Sequence, residues 1–209
     1  MLGRVFAREG TDVPDDLTAT KILDAAVAAC AAHGIGALTI DGLARRAGVN
    51  RATVYRRFGD RDALLQAMTL REGERMAQGI VDSLFGVEDP ADQLIEGFAA
   101  ALRLAEAHPV IRRTAEFEPQ DLIAAGLADD AALLRLGSTF AATGVRRLQA
   151  DGRATHLDAA AVGETMARLF ASFVLLPAQH AIDVRSEEGA RSYARRTLVP
   201  LLLGADDDA

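Results

Sequence analysis

The sequence predicts an all-α fold, a three-helix N-terminal helix-turn-helix head followed by a C-terminal helical body, and three features of its pattern predict it. Apolar residues recur at three- and four-residue spacing through one segment after another, hardly any stretch alternates with period two, and turn-forming residues separate the periodic runs. A chain of 209 residues that is 50% hydrophobic and 25% charged can bury a real core without covalent staples. No internal repeat with a period of about 20 to 50 residues is visible.

Residues 1–16 hold Gly3, Gly10, Thr11 and Pro14 with no sustained period and read as a loose arm. A first helix opens under a Thr18 or Thr20 cap, and Ile22, Ala26, Ala29, Cys30 and His33 recur at helical spacing until Gly34 ends the run. After a turn over 34–38, Thr39 is an N-cap type, and Ile40, Leu43, Ala44 and Ala47 form the apolar stripe of a short second helix closed by Gly48. Asn50 is again a capping residue. The third helix, 51–57, sets Val54 and Phe58 four apart on one face and leaves its basic residues to the others. Gly59 and Asp60 start a longer helix, 61 to about 84, carrying Ala63, Leu64, Ala67, Met68 and Met76. Further helices are expected at 90–107, 110–117, 121–126, 129–150, 158–182 and 186–203, punctuated by Pro109, Pro119, the Asp151-Gly152 pair and Gly204. Pro177 and Pro200 fall inside the last two and predict a kink or an early end.

The longest apolar stretch, 169–178, contains Ser172 and Pro177 and is well short of the roughly 20 residues that cross a bilayer, so no membrane partner is expected. Residues 1–10 carry Arg4, Arg8 and Glu9 and no apolar secretory core, which predicts a cytoplasmic protein. Cys30, the single cysteine, can form no intrachain disulfide, in keeping with a reducing compartment.

A formal charge of −7 argues against a nucleic-acid partner until its distribution is considered. Over 17–59 the basic residues are Lys21, Arg45, Arg46, Arg51, Arg56 and Arg57 against Asp24 and Asp41, a net of +4 that leaves −11 for the rest. A basic head on an acidic body suits a protein in which one segment meets phosphate and the remainder does not.

Three helices in this order, the second and third short and joined through Ala47, Gly48 and Val49, have the outline of a helix-turn-helix. Gly48 permits a tight left-handed turn. Val49, Val54 and Phe58 are placed to lock the third helix against Ile40, Leu43 and Ala44, so that its orientation is fixed before any duplex arrives. A rigid rod with a basic outer face fits the major groove, where arginine donates two bonds to guanine and the Thr53 methyl meets thymine. Tyr55, Thr39 and the N-terminal amides of the flanking helices suit phosphate, which positions without specifying.

The run TIDGLARRAGVNRATVYRRFGDRDALL over 39–65 resembles the signature of the TetR family of repressors, and with the preceding helix the resemblance covers roughly the first third of the chain. It implies that Arg51, Ala52, Thr53, Arg56 and Arg57 face bases while Thr39, Tyr55 and Arg61 hold phosphates. Two departures from the pattern qualify this. Asn50 and Arg51 stand where many relatives place Ser and a small or polar residue, and Asp41 stands where some carry a base-reading Arg. Asp41 is therefore expected to read no base and to favour the helix N-terminus electrostatically. The operator sequence is left open.

The resemblance also implies a homodimer in which the last two helices pair with the same two of a partner. In the sequence, Ala160, Ala161 and Gly163 are small enough for close helix approach, and Leu169, Phe173, Val174, Leu198, Leu201 and Leu202 supply apolar surface. A two-fold dimer would set the recognition helices about 34–36 Å apart on a near-palindromic operator. Phe98, Leu102, Phe117, Phe140, Thr143, Met166 and Phe170 are the candidate lining for an apolar small-molecule effector. Such a ligand would tilt the helix after Gly59 and shift the heads towards a non-binding spacing. The corresponding division is an arm 1–16, a head 17–62, an effector-binding and dimerisation body 63–204 and an acidic tail 205–209.

No catalytic residue, metal site or cofactor is expected. Cys30 and His33 are spaced for a metal but lack companions, His108, His156 and His180 are scattered, Gly34-Ile35-Gly36 has no strand before it, and no serine sits in a nucleophile elbow. Arg112, Arg113 and Glu116 read as a surface ion-pair set. The alternative to a regulator is an all-helical binding or scaffold protein with a DNA-inactive head.

Overall fold

The structure, a computed structural model, describes residues 17–176 and 182–203, side chains of 125–130 excepted. The expected arm and acidic tail, Pro177 and His180 lie outside the described residues. Among the described residues ten α-helices follow in order: α1 (Leu17–His33), α2 (Ile40–Ala47), α3 (Arg51–Phe58), α4 (Arg61–Ser83), α5 (Pro90–Ala107), α6 (Pro109–Phe117), α7 (Pro119–Ala150), α8 (Ala159–Leu175), α9 (Glu187–Tyr193) and α10 (Val199–Leu203), with a π-helical turn, Ala194–Leu198, joining the last two. Among the described residues there is no strand. The fold is all-α, as the periodicity predicts.

Starts and stops follow local chemistry. Pro90, Pro109 and Pro119 each occupy the first turn of a helix, where a missing N–H leaves no internal bond unmade. Asp60, Asp89, Asp158 and Ser186 cap α4, α5, α8 and α9 through their side-chain oxygens. Two expectations change, and two expected interruptions take definite form. α1 already runs at Leu17, so neither Thr18 nor Thr20 caps it. The helices expected over 121–126 and 129–150 are one, with left-handed Ala131 (φ 58°) inside it. α8 stops at Leu175, and Leu176 is extended, as a residue before proline is pushed to be. The final helix widens into its π turn, where Val199 N–H bonds Ala194 O, one turn ahead of Pro200, which has no N–H to give and whose ring crowds the preceding turn.

Two apolar clusters organise these helices. The first gathers Ala19, Ile22, Leu23, Ala26 and Cys30 of α1 with Ile40, Leu43 and Ala44 of α2, Val54 and Phe58 of α3, Leu64 and Met68 of α4, and Val110 of α6. The second joins Ile95, Phe98, Ala99 and Leu102 of α5 to Val184, Ala190, Ala194 and Leu198, with Leu94, Met166, Leu169, Phe170, Phe173, Tyr193 and Val199 packed against it. Between α7 and α8 the contact is made by small residues: a Cβ on Gly163 would lie 2.3 Å from Ser138 O and 2.9 Å from Ala142 N. Gly73 of α4 instead makes room for the side-chain ends of Leu133 and Leu136 of α7.

A charge network sits where α1, α4 and the α5–α6 corner meet. Arg71 pairs with Asp24 (2.9 Å) and Glu72 (2.8 Å), Arg75 with Glu72 (3.0 Å), and His108 Nε2 lies 3.2 Å from Glu72 Oε2. Burial raises the Glu72 pKa, but the His108 hydrogen bond and the Arg71 and Arg75 charges outweigh it and hold the carboxyl below its ordinary value.

Candidate nucleic-acid interface

The α2–α3 unit is built as its residues dictate. Thr39 Oγ1 accepts from Gly42 N at 3.2 Å, Asn50 Oδ1 accepts from Thr53 N at 2.7 Å, and Gly48 takes the left-handed turn at φ 67° between them. Gly48 N–H bonds Arg45 O and Val49 N–H bonds Ala44 O, so the turn closes the carbonyl end of α2. Val54 and Phe58 are buried beneath α3, with Val49 packed beside them against the α1–α2 cluster. The opposite face carries Arg51, Ala52, Tyr55 and Arg56, all exposed, with Arg57 and Thr53 half-buried at its margins. Arg45 and Arg46 are exposed on α2. This is a cationic outer face on a rod held by its apolar back.

Individual side chains are more committed than spacing suggests. The Thr53 hydroxyl donates to Asn50 Oδ1 at 2.9 Å. Arg51 Nε lies 2.8 Å from Asp41 Oδ1, its Nη1 donates to Asp41 Oδ2 at 3.3 Å, and its Nη2 donates to the Tyr55 hydroxyl at 3.4 Å. Its guanidinium stands 5.7 Å from the centre of the Tyr55 ring, and the Tyr55 bond and the Asp41 charge raise its pKa further. An open hollow beside this pair is lined by Asp41, Ala44, Arg45, Val49 and Arg51. The Asp41–Arg51 bond spans two helices, and periodicity within either helix gives no sign of it.

Arg61 is turned inward. Its Nε donates to Leu38 O at 2.9 Å, its Nη2 to Ile35 O at 2.7 Å, and its Nη1 to Asp62 at 3.2 Å, so it ties the α1–α2 turn to the start of α4. Ile35 O also accepts from Leu38 N–H at 3.2 Å, so Arg61 adds a second bond there and a side-chain bond to Leu38 O. Beneath it, burial pushes the Cys30 thiol up to about 11, with Arg61 lowering and Glu118 raising it. His33 is exposed, and no group of three or more metal-ligating residues occurs among the described residues.

In the body, Phe98, Leu102, Met166 and Phe170 come together around the second cluster, joined by an aromatic triad the sequence reading missed: Phe98, Phe173 and Tyr193 have ring centres 5.3–5.8 Å apart. Phe117 is placed elsewhere. It is 62% exposed at the end of α6, beneath the Arg113 guanidinium at 5.4 Å, because the chain turns at Glu118 before that face can reach the interior. Phe140 and Thr143 lie half-buried on α7, the Thr143 hydroxyl donating to Thr139 O at 2.7 Å. Of the candidate interface residues, Leu198 (2% exposed) and Leu202 are buried within their own chain, Leu169 and Phe173 pack on the second cluster, and Val174 is half-buried. Leu201 remains 69% exposed, and Leu176, just past α8, is 63% exposed. Gly163 meets α7 of its own chain, while Ala160 and Ala161 face outward. Among the described residues no helix is long and apolar enough to cross a membrane.

The geometry defines an all-helical protein with a helix-turn-helix head. Residues 22–68 match the family model described as bacterial regulatory proteins, tetR family. An uncharacterized HTH-type transcriptional regulator of Mycobacterium tuberculosis (strain ATCC 25618 / H37Rv) is 32% identical over 96 residues, 46% of this chain and 48% of that protein, so the chain spans about half the length of this relative. The HTH-type transcriptional regulator AlkX of the same organism is 28% identical over 158 residues, 72% of each. Among solved structures, the TetR family repressor AlkX from Dietzia sp. strain DQ12-45-1b, implicated in biodegradation of n-alkanes, superposes with a TM-score of 0.66 over 90% of this chain and 95% of that one at 24% identity. The likeness to that family is carried by residues 22–68, the head and the first turns of α4.

Proposed function

We propose that this chain is a ligand-responsive transcriptional repressor that binds a near-palindromic operator as a homodimer and is released by a small apolar molecule. The observation that carries the reading is the exposed cationic face of α3, backed by buried Val54 and Phe58 and capped at both ends. Arg51, Ala52, Thr53, Arg56 and Arg57 meet bases in this reading, and Thr39 and Tyr55 meet phosphate. Arg61, assigned to phosphate by resemblance, acts instead by holding the turn that orients α2. The division into a head over 17–62 and a body over 63–204 belongs to the same proposal.

The apolar effector is supported by the aromatic and aliphatic character of the Phe98, Leu102, Met166 and Phe170 cluster, and by the n-alkane context of the Dietzia relative. Exposed Leu176 and Leu201 near the end of the body supply apolar surface for pairing of two copies, where Leu198 and Leu202 do not.

The test is DNA retention with a salt titration. The wild type should enrich a palindromic sequence and lose affinity linearly in log salt. The Arg56→Ala, Arg57→Ala double variant should bind at least about 30-fold more weakly, by about 1–3 kcal/mol for each arginine that meets a base. Wild-type binding that ignores salt and sequence would remove the reading in favour of a helical scaffold with an inert head.

A further inference from the structure

We propose that Asp41 is a specificity-determining residue: by clamping Arg51 it turns that arginine from a mobile phosphate anchor into a fixed reader of one guanine in each half-site. The inference rests on the DNA-binding reading and deepens it. Its starting point is a carboxylate in an unfavourable place. Asp41 is exposed on α2 beside the cationic face of α3, where it would repel phosphate and the acceptor-rich edge of guanine. A group that only favoured the α2 N-terminus would serve on any side of the helix.

The structure gives the carboxylate a second task. It reaches across the turn to hold Arg51 Nε at 2.8 Å and Nη1 at 3.3 Å, while Tyr55, one turn along α3, takes Nη2 and underlies the guanidinium. Arg51 is the first residue of α3. Its side chain is otherwise long and free to reach either neighbouring phosphates or bases. The clamp selects one orientation of the planar fork. It also cancels the charge of Arg51, so the pair adds little to sequence-independent attraction. Nη1 and Nη2 each retain a further N–H, and two such donors match the O6 and N7 acceptors of guanine. A neutral pair that still points two donors outward contributes to selectivity more than to affinity.

The experiment compares wild type, Asp41→Asn, Asp41→Glu and Arg51→Lys by selection from randomised duplexes and by salt titration on one enriched and one random duplex. Both residues are more than half exposed, so the helical fold, checked by circular dichroism, should be retained. Asp41→Asn should bind the random duplex several-fold more tightly, steepen its log-log salt slope by about one unit per head, and lose about 10-fold discrimination at one guanine position in each half-site. Arg51→Lys should lose the same position and bind the enriched duplex about 10-fold more weakly, with little change on the random duplex, because a point charge cannot present the fork. Asp41→Glu should recover part of the preference. If Asp41→Asn selects the same sequences as wild type with the same salt slope, this inference alone is overturned. If the wild type selects no sequence, the DNA-binding reading falls with it.

Discussion

The α1–α3 head and the α7–α8 pair fix helix orientation by opposite means. In the head, large side chains interlock: Ile22, Leu23, Leu43 and Val54 are almost wholly buried in one cluster, and the backbones stand apart by the width of those residues. Between α7 and α8 the seam is made by Gly137, Ser138, Ala142, Gly163 and Ala167, and backbone nearly meets backbone. The first arrangement depends on volume being present, the second on its absence. Truncation should therefore harm the head and enlargement the body, a contrast open to direct attack.

The largest effect should come from Leu43→Ala, which leaves a cavity under α2 and should cost about 2–5 kcal/mol of stability, read as a lowered urea midpoint. A change below about 1 kcal/mol would mean that the head repacks and is not held by volume. Next, Gly163→Ala places a methyl against Ser138 O and should cost about 1–3 kcal/mol, measured by thermal unfolding. A neutral result would show that the pair can slide apart. The smallest effect concerns the junction between the two regions. The Glu72 carboxyl is held below its ordinary pKa, so its stabilisation is present above the unfolded value of 4.5 and is lost as pH falls through the lower folded value. Glu72→Gln should be less stable than wild type at neutral pH by under about 1 kcal/mol, and the difference should shrink as the pH falls below 4.5. A difference that persists into acid would assign the loss to packing and not to charge.

The same contrast explains how much was legible in the sequence. The head was read almost residue by residue, because its signals are local: Thr39, Gly48, Asn50 and Asp60 announce their turns within three or four positions. What escaped were bonds between segments. Arg61 answers carbonyls 23 and 26 residues earlier, and Asp41 meets Arg51 across a turn, so neither follows from any helical period. In the body, periodicity marked Leu198 and Leu202 as apolar but not what their face meets, and tertiary packing gave that face to α5. Tyr193 passed unnoticed because one aromatic in a run of charged residues carries no pattern until Phe98 and Phe173 come alongside.

Ala190, Ala194, Leu198 and Leu202 succeed one another at steps of four, and all are buried. On a regular α-helix each such step overshoots a full rotation by about 40°, so three would carry Leu202 about a third of the way round the axis and off its neighbour. The wide turn over Ala194–Leu198 winds less per residue and takes back part of that overshoot. Pro200 thus sets the phase of α10, keeping Leu202 on the same side as Ala190 with no residue added or removed.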